Sequence, residues 1–99
     1  MNVSYRLEGL LFEWDDRKAL ENEDKHGVTF EERAESFLDP FVCEAEDKSV
    51  PDEDRVGLIG HTRRGRLLLV VHVERGIVTR IISARPATRA EKKYYEQHR

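Results

Sequence analysis

The chain reads as a single α+β domain: an antiparallel meander of three to five strands, with two N-terminal helices and one C-terminal helix. Three observations predict this. Ninety-nine residues make one domain. Two helix-capping signals, at Asp15 and Thr29, precede a run of closely spaced apolar segments, and a third follows at Thr88. The element types are thus segregated along the chain, which argues α+β rather than a parallel α/β sheet.

Residues 1–9 are expected to be a loose extension, with the domain proper at 10–99. Leu10-Leu11-Phe12-Glu13-Trp14 reads as a short first strand. Asp15 opens a helix as N-cap, with Asp16 at the positive end of the dipole. That helix runs to about His26 and stops at Gly27. Thr29 with Glu32 forms a capping box for a second helix, whose apolar face is Phe30, Ala34, Phe37 and Leu38 until Asp39-Pro40 ends it.

Phe41–Ala45 is a further strand, and Glu46–Arg55 a charged, proline-containing loop. Three strands follow at about Arg55–Thr62, Arg66–Glu74 and Ile77–Arg85, joined by turns at Arg63-Arg64-Gly65 and Arg75-Gly76. Pro86 stops the last of them. Thr88 then caps a final helix, with Glu91 completing its capping box.

Composition excludes several classes. One cysteine, Cys43, allows no internal disulfide and fits a reducing, cytoplasmic setting. The N-terminus lacks the pattern of a signal peptide, and the longest apolar run, Leu67–Val71, is too short to span a bilayer, so no membrane partner is expected. His26, His61, His72 and His98 show no ligand spacing, so neither a metal nor another cofactor is expected.

The net charge of −3 hides an asymmetry. Residues 1–54 carry 6 basic and 17 acidic side chains, and residues 55–99 carry 11 basic and 3 acidic. Two accounts fit: a polyanion or acidic-partner site on the C-terminal half, or two halves that neutralise each other in the fold.

Four constellations carry chemical interest. Lys18, Asn22, Lys25 and His26 share one face of the first helix, which suits phosphate binding or simply a solvated face with cations at its C-terminal end. On the hairpins, a two-residue Arg75-Gly76 turn pairs His72 with Thr79, Leu68 with Ser83 and Arg66 with Arg85. Arg66, His72, Ser83 and Arg85 then share one face, with Arg80 on the apolar side near the rim. His72 titrates near neutrality and is a candidate base or acid, and Arg66, Arg80 and Arg85 are candidates for holding phosphate. The competing account is a half-buried His72 and arginines paired with acids from residues 1–54. Arg63, Arg64 and Arg66 at a hairpin tip form either a phosphate probe or a soluble turn. Tyr94 or Tyr95 on the last helix either stacks on a base or anchors the core.

Taken together, Phe12-Glu13-Trp14-Asp15, Lys18, Asn22 and the run Lys25 to Glu32 resemble the N-terminal motif of BrnT toxins. Ile59-Gly60, Gly65 to Leu68, Val70 to His72, Glu74 to Gly76 and Arg80 to Arg85 resemble that family's strand motifs. Ala87-Thr88, Glu91 and Tyr95-Glu96 resemble its final helix. The likeness covers about residues 10–97, with departures at Arg33, Val73 and Pro86.

The resemblance implies a RelE-like fold and a metal-independent ribonuclease that arrests growth by cleaving mRNA. It also implies neutralisation by a cognate, BrnA-like antitoxin, with DNA bound only through that partner. By likeness, Lys18, Asn22, Lys25, His26, Arg66, His72, Arg80, Arg85 and Tyr95 are the suspected functional residues. His72, Arg80, Arg85 and Tyr95 are the expected catalytic set; Lys18, Asn22, Lys25, His26, Arg64 and Arg66 are the expected RNA contacts. The alternative is a non-catalytic module that acts only in complex with a DNA-binding partner.

Overall fold

A computed structural model describes residues 1–45 and 55–98. The expected charged loop therefore lies, apart from Arg55, outside the described residues. The elements are β1 (Asn2–Leu7), β2 (Leu10–Asp15), α1 (Asp16–His26), α2 (Phe30–Glu35), a 3₁₀ turn (Ser36–Leu38), β3 (Cys43–Ala45), β4 (Val56–His61), β5 (Leu67–Arg75), β6 (Val78–Pro86) and α3 (Arg89–Gln97).

The strands form one six-stranded sheet in the order β1-β2-β6-β5-β4-β3. This corrects the expected antiparallel meander of three to five strands, because β2 pairs with β6 in parallel. Parallel neighbours need a long crossover, and here everything between β2 and β6 supplies it.

Residues 1–9 are not a loose extension. Asn2 to Leu7 pair along their length with β2, and Leu7 is buried in the core. Val3, Tyr5 and Leu7 alternate with polar residues. Glu8 and Gly9, at φ 50° and 81°, make the two-residue turn whose twist matches a hairpin.

The caps stand where the sequence signals them, but at Thr29 only half of the expected box forms, since the Glu32 carboxylate is turned to Arg66 and Thr62. Asp15 accepts from the Lys18 N–H at 3.1 Å, and the Gly27 N–H closes α1 on Glu23 O at 2.7 Å. Thr29 accepts from the Glu32 N–H at 3.1 Å. The box at Thr88 is complete: Glu91 N–H to Thr88 Oγ1 at 3.1 Å, and Thr88 N–H to Glu91 Oε1 at 2.9 Å. No residue of α1 is buried, so capping and one partly buried alanine, Ala19, hold that helix on the core.

The sheet is covered on both faces. On one, Phe12, Trp14, Leu68, Val70, Ile81 and Ala84 pack with Val28, Phe30 and Ala34. Trp14 meets Phe30 edge-on at 5.5 Å. On the other, Tyr95 of α3 covers Ile59 and Leu69. Each fully buried side chain of this size contributes about 1.5–3 kcal/mol. Where the 3₁₀ turn crosses β4 there is no room for a side chain at Gly60: a Cβ there would sit 2.5 Å from Ser36 O. Ser36 Oγ in turn donates to Gly60 O at 3.1 Å.

Candidate active site

The register of β5 on β6 decides which side chains share a face. The turn between them is Gly76-Ile77, not Arg75-Gly76, since Arg75 pairs with Val78. That shift alone preserves the faces. An irregularity between Val71 and His72 then inserts one residue, so His72 pairs with Ile81 but Val71 with Ser83 and Leu69 with Arg85. The expected common face is therefore split. Arg66 and His72 point to the α2 side, with Leu68 and Val70. Ser83 and Arg85 lie on the opposite side, with Leu69 and Val71.

His72 is corrected from catalytic candidate to buried residue. It is 6% exposed, and its ring stands edge-on to Phe37 at 5.0 Å. Nε2 lies 3.5 Å from Glu74 Oε1, while the buried Nδ1 has no hydrogen-bond partner among the described residues. Burial pushes its pKa below the ordinary histidine value, against the pull of Glu74.

The arginines are mostly braces. Arg66 Nε donates to Glu32 Oε2 at 2.8 Å, its NH2 reaches Glu32 Oε1, and Thr62 Oγ1 joins at 3.0 Å. Arg66 is thereby a tie between β5 and α2. The Arg66 guanidinium holds the Glu32 carboxyl below its usual range, although burial opposes this. Arg80 donates to Glu13 Oε1 at 3.2 Å and to Asn2 Oδ1 at 3.3 Å. It sits on the face opposite the main core, not on the apolar side. Arg85 makes a two-pronged pair with Glu91, at 2.7 and 2.9 Å, and this also fastens α3 to β6. Arg64 is exposed at the hairpin tip, and its neighbour Arg63 pairs with Glu8 at 3.3 Å.

What the fold does bring together is a cleft of about 410 Å³ between α1 and the sheet. Asn22, Lys25 and His26 line it from α1; Ser83 and Arg85 line it from β6; Arg55, Glu21, Leu69, Val71 and Ala84 complete the wall. Four of the expected residues thus converge: Asn22, Lys25, His26 and Arg85. Lys18 does not line the cleft. Asn22 Nδ2 donates to Lys18 O at 3.1 Å, which steadies its side chain. His26 is half-buried; desolvation, with Lys25, Arg33 and Arg85 nearby, lowers its pKa. The imidazole is therefore neutral at pH 7 and available as a proton acceptor among cations.

Tyr95 is 2% exposed, so it is a core anchor with a tethered hydroxyl rather than a group open to substrate. That hydroxyl donates to Asp39 Oδ2 at 2.6 Å and lies 3.1 Å from His61 Nδ1. Sequence reasoning missed Asp39 and His61. Asp39 reads locally as a helix stop before Pro40, and nothing local signals a partner 56 residues on. Among the described residues, no group of three His, Cys, Asp or Glu side chains converges as metal ligands would, and no helix is long and apolar enough to cross a membrane.

Fold and cleft together define a small α+β protein with a cationic, imidazole-bearing groove. The family model for the ribonuclease toxin BrnT of type II toxin–antitoxin systems matches residues 14–91, and the chain belongs to that family. Among solved structures, the ribonuclease toxin BrnT of Brucella abortus is similar at 27% identity with a TM-score of 0.61, over 77% of this chain and 94% of that one. A comparison with curated proteins gives no match.

Proposed function

We propose that this chain is a cytoplasmic endoribonuclease toxin. It cleaves RNA without a metal, in the manner of RelE-like toxins, inhibits translation, and is neutralised by a BrnA-like antitoxin through which alone it meets DNA. The observation that carries this reading is the convergence of Lys25, His26, Asn22 and Arg85 on one cleft from elements some 60 residues apart in sequence.

In that cleft Lys25 and Arg85 hold the phosphate and Asn22 offers an amide. The neutral His26 accepts the 2′-hydroxyl proton as the 2′ oxygen attacks the adjacent phosphorus. The P–O5′ bond then breaks, giving a 2′,3′-cyclic phosphate and a 5′-hydroxyl.

The test is digestion of RNA by the purified protein, with and without EDTA, beside expression of the gene alone. Cleavage unaffected by chelator, growth arrest, and relief of both by His26→Gln or Arg85→Ala are the expected results. Abolition by EDTA overturns the metal-free mechanism.

A second reading is favoured by the pairing of Arg66, Arg80 and Arg85 with carboxylates: a non-catalytic module that acts only with a DNA-binding, antitoxin-like partner. Normal growth and intact RNA on expression of the wild-type chain would select it.

A further inference from the structure

Asp39 does more than stop the 3₁₀ turn. Its Oδ1 accepts from the Phe41 N–H at 2.8 Å, and its Oδ2 accepts from the His61 N–H at 2.8 Å and the Tyr95 hydroxyl at 2.6 Å. Its side chain is 6% exposed. Burial raises the Asp39 pKa, but these three donors outweigh burial and leave it below the usual carboxylate range. Asp39 is therefore an anion at neutral pH.

A phenol has one hydrogen, and the carboxylate takes it. The same Tyr95 oxygen lies 3.1 Å from His61 Nδ1, so Nδ1 must carry the hydrogen of that contact. The two rings meet edge-on at 5.0 Å, which fixes the imidazole plane. Nε2 is left as the ring nitrogen that Tyr95 does not engage. It has no hydrogen-bond partner among the described residues, and the side chain is 40% exposed. An anion acting on an imidazole to fix its tautomer, with the other nitrogen facing out, is the arrangement that acid–base catalysis requires.

None of the three lines the cleft itself, but the group adjoins one of its residues. Tyr95 packs on Leu69, a cleft residue, and His61 pairs with Leu67 on the same face. Along the strand the two rows are one two-residue step apart, about 7 Å, and His61 stands one strand further out, on β4. We infer that His61 Nε2 is the proton donor to the leaving 5′ oxygen when RNA in the cleft is cut, with Asp39 and Tyr95 as positioning residues. This rests on the ribonuclease reading.

The step balances. The 2′ oxygen bonds to phosphorus and its proton passes to His26. The P–O5′ pair goes to the 5′ oxygen, which takes the Nε2 proton. His61 is left neutral with its hydrogen on Nδ1, the tautomer that Tyr95 already holds.

Two substrates test it: an oligoribonucleotide, and a nucleoside 3′-(p-nitrophenyl phosphate), whose leaving group departs without a proton. His61→Gln is expected to lower kcat on RNA about 100-fold or more, with KM changed by less than about twofold, while the aryl ester is cut at nearly the wild-type rate. Tyr95→Phe is the second variant. It lowers kcat on RNA about tenfold, and ¹⁵N NMR of the imidazole shows its hydrogen redistributing from Nδ1 towards Nε2.

A wild-type protein that cuts neither substrate overturns the ribonuclease reading itself. A wild-type protein that cuts both, with His61→Gln unimpaired or equally impaired on the two, overturns the role of His61 alone. An unchanged tautomer in Tyr95→Phe overturns the positioning role.

Discussion

Replacing Arg33 by methionine should stabilise the protein. Arg33 of α2 is fully buried, and none of its three guanidinium nitrogens has a hydrogen-bond partner among the described residues. Its guanidinium lies over the Phe30 ring, with Cζ 4.1 Å from the centroid. Burial pushes its pKa down to about 10, although Glu23 and Glu32 pull the other way. At 1.36 kcal/mol per pKa unit, holding the charge there costs about 3 kcal/mol. Methionine keeps most of the apolar stem, removes the charge and forfeits a cation–π contact of about 1 kcal/mol. The net gain is about 2 kcal/mol, within the range seen when unfavourable buried charges give way to apolar side chains. For a chain of this length that raises Tm by about 10 °C. Thermal unfolding at pH 7, followed by circular dichroism, measures it. A Tm for Arg33→Met below that of the wild type would show that the guanidinium is well bonded in solution, and would refute the reasoning.

Other substitutions and conditions follow the same logic. Gly60→Ala puts a methyl group 2.5 Å from the Ser36 carbonyl oxygen, a backbone atom that cannot swing away; urea unfolding should show a loss of about 2 kcal/mol or more. Arg66→Gln cuts the tie to Glu32 and should lower Tm while RNA cleavage by the folded fraction stays unchanged; a selective loss of cleavage would return Arg66 to the RNA interface. Acid should unfold the protein in two stages. His26 and His72 have depressed folded pKa values, so the stability they permit is complete above about pH 6.5 and declines as pH falls through the folded values. Glu32, Asp39 and Glu91 are likewise depressed, so their contribution is present above about pH 4 and is lost below it. A flat stability profile from pH 7 to pH 5 would contradict the histidine part.

Local chemistry was legible in the sequence and long-range placement was not. Asp15, Thr29 and Thr88 each cap the helix the sequence assigns them, because a cap is decided within four residues. The strand at Asn2–Leu7 is equally readable from its alternation and its Glu8-Gly9 turn, although it is short and carries few large apolar residues. The parallel joint between β2 and β6 has no local signal, since it depends on what all the intervening residues do. Neither does the extra residue near Val71, which reverses the faces of Ser83 and Arg85 and removes His72 from the site. For the candidate site, Asn22, Lys25 and His26 of the α1 stripe reach one cleft together because helical spacing is rigid, while Lys18 does not line it. The hairpin set is split, with Ser83 and Arg85 in the cleft and Arg66 and His72 on the other face, because one residue of slip inverts a strand.

The charge asymmetry resolves in a way that bears on RNA binding. Arg63 with Glu8, Arg66 with Glu32 and Arg80 with Glu13 are pairs between the basic half and the acidic half. Three of the eleven basic residues of the C-terminal half thus serve to hold the halves together. Among the described residues the cations that line the cleft are Lys25, Arg55 and Arg85, the last also paired with Glu91, with His26 neutral. Each phosphate neutralised on a single strand contributes about −0.7 to the slope of log K against log salt, so three contacts give about −2. Titration of a fluorescent oligoribonucleotide at several salt concentrations measures that slope. A much steeper value, about −4 or beyond, would mean that RNA draws Arg63, Arg66 or Arg80 away from their carboxylates. Binding would then have to open the ties that stabilise the free protein, and the cleft described here would be only part of the RNA surface.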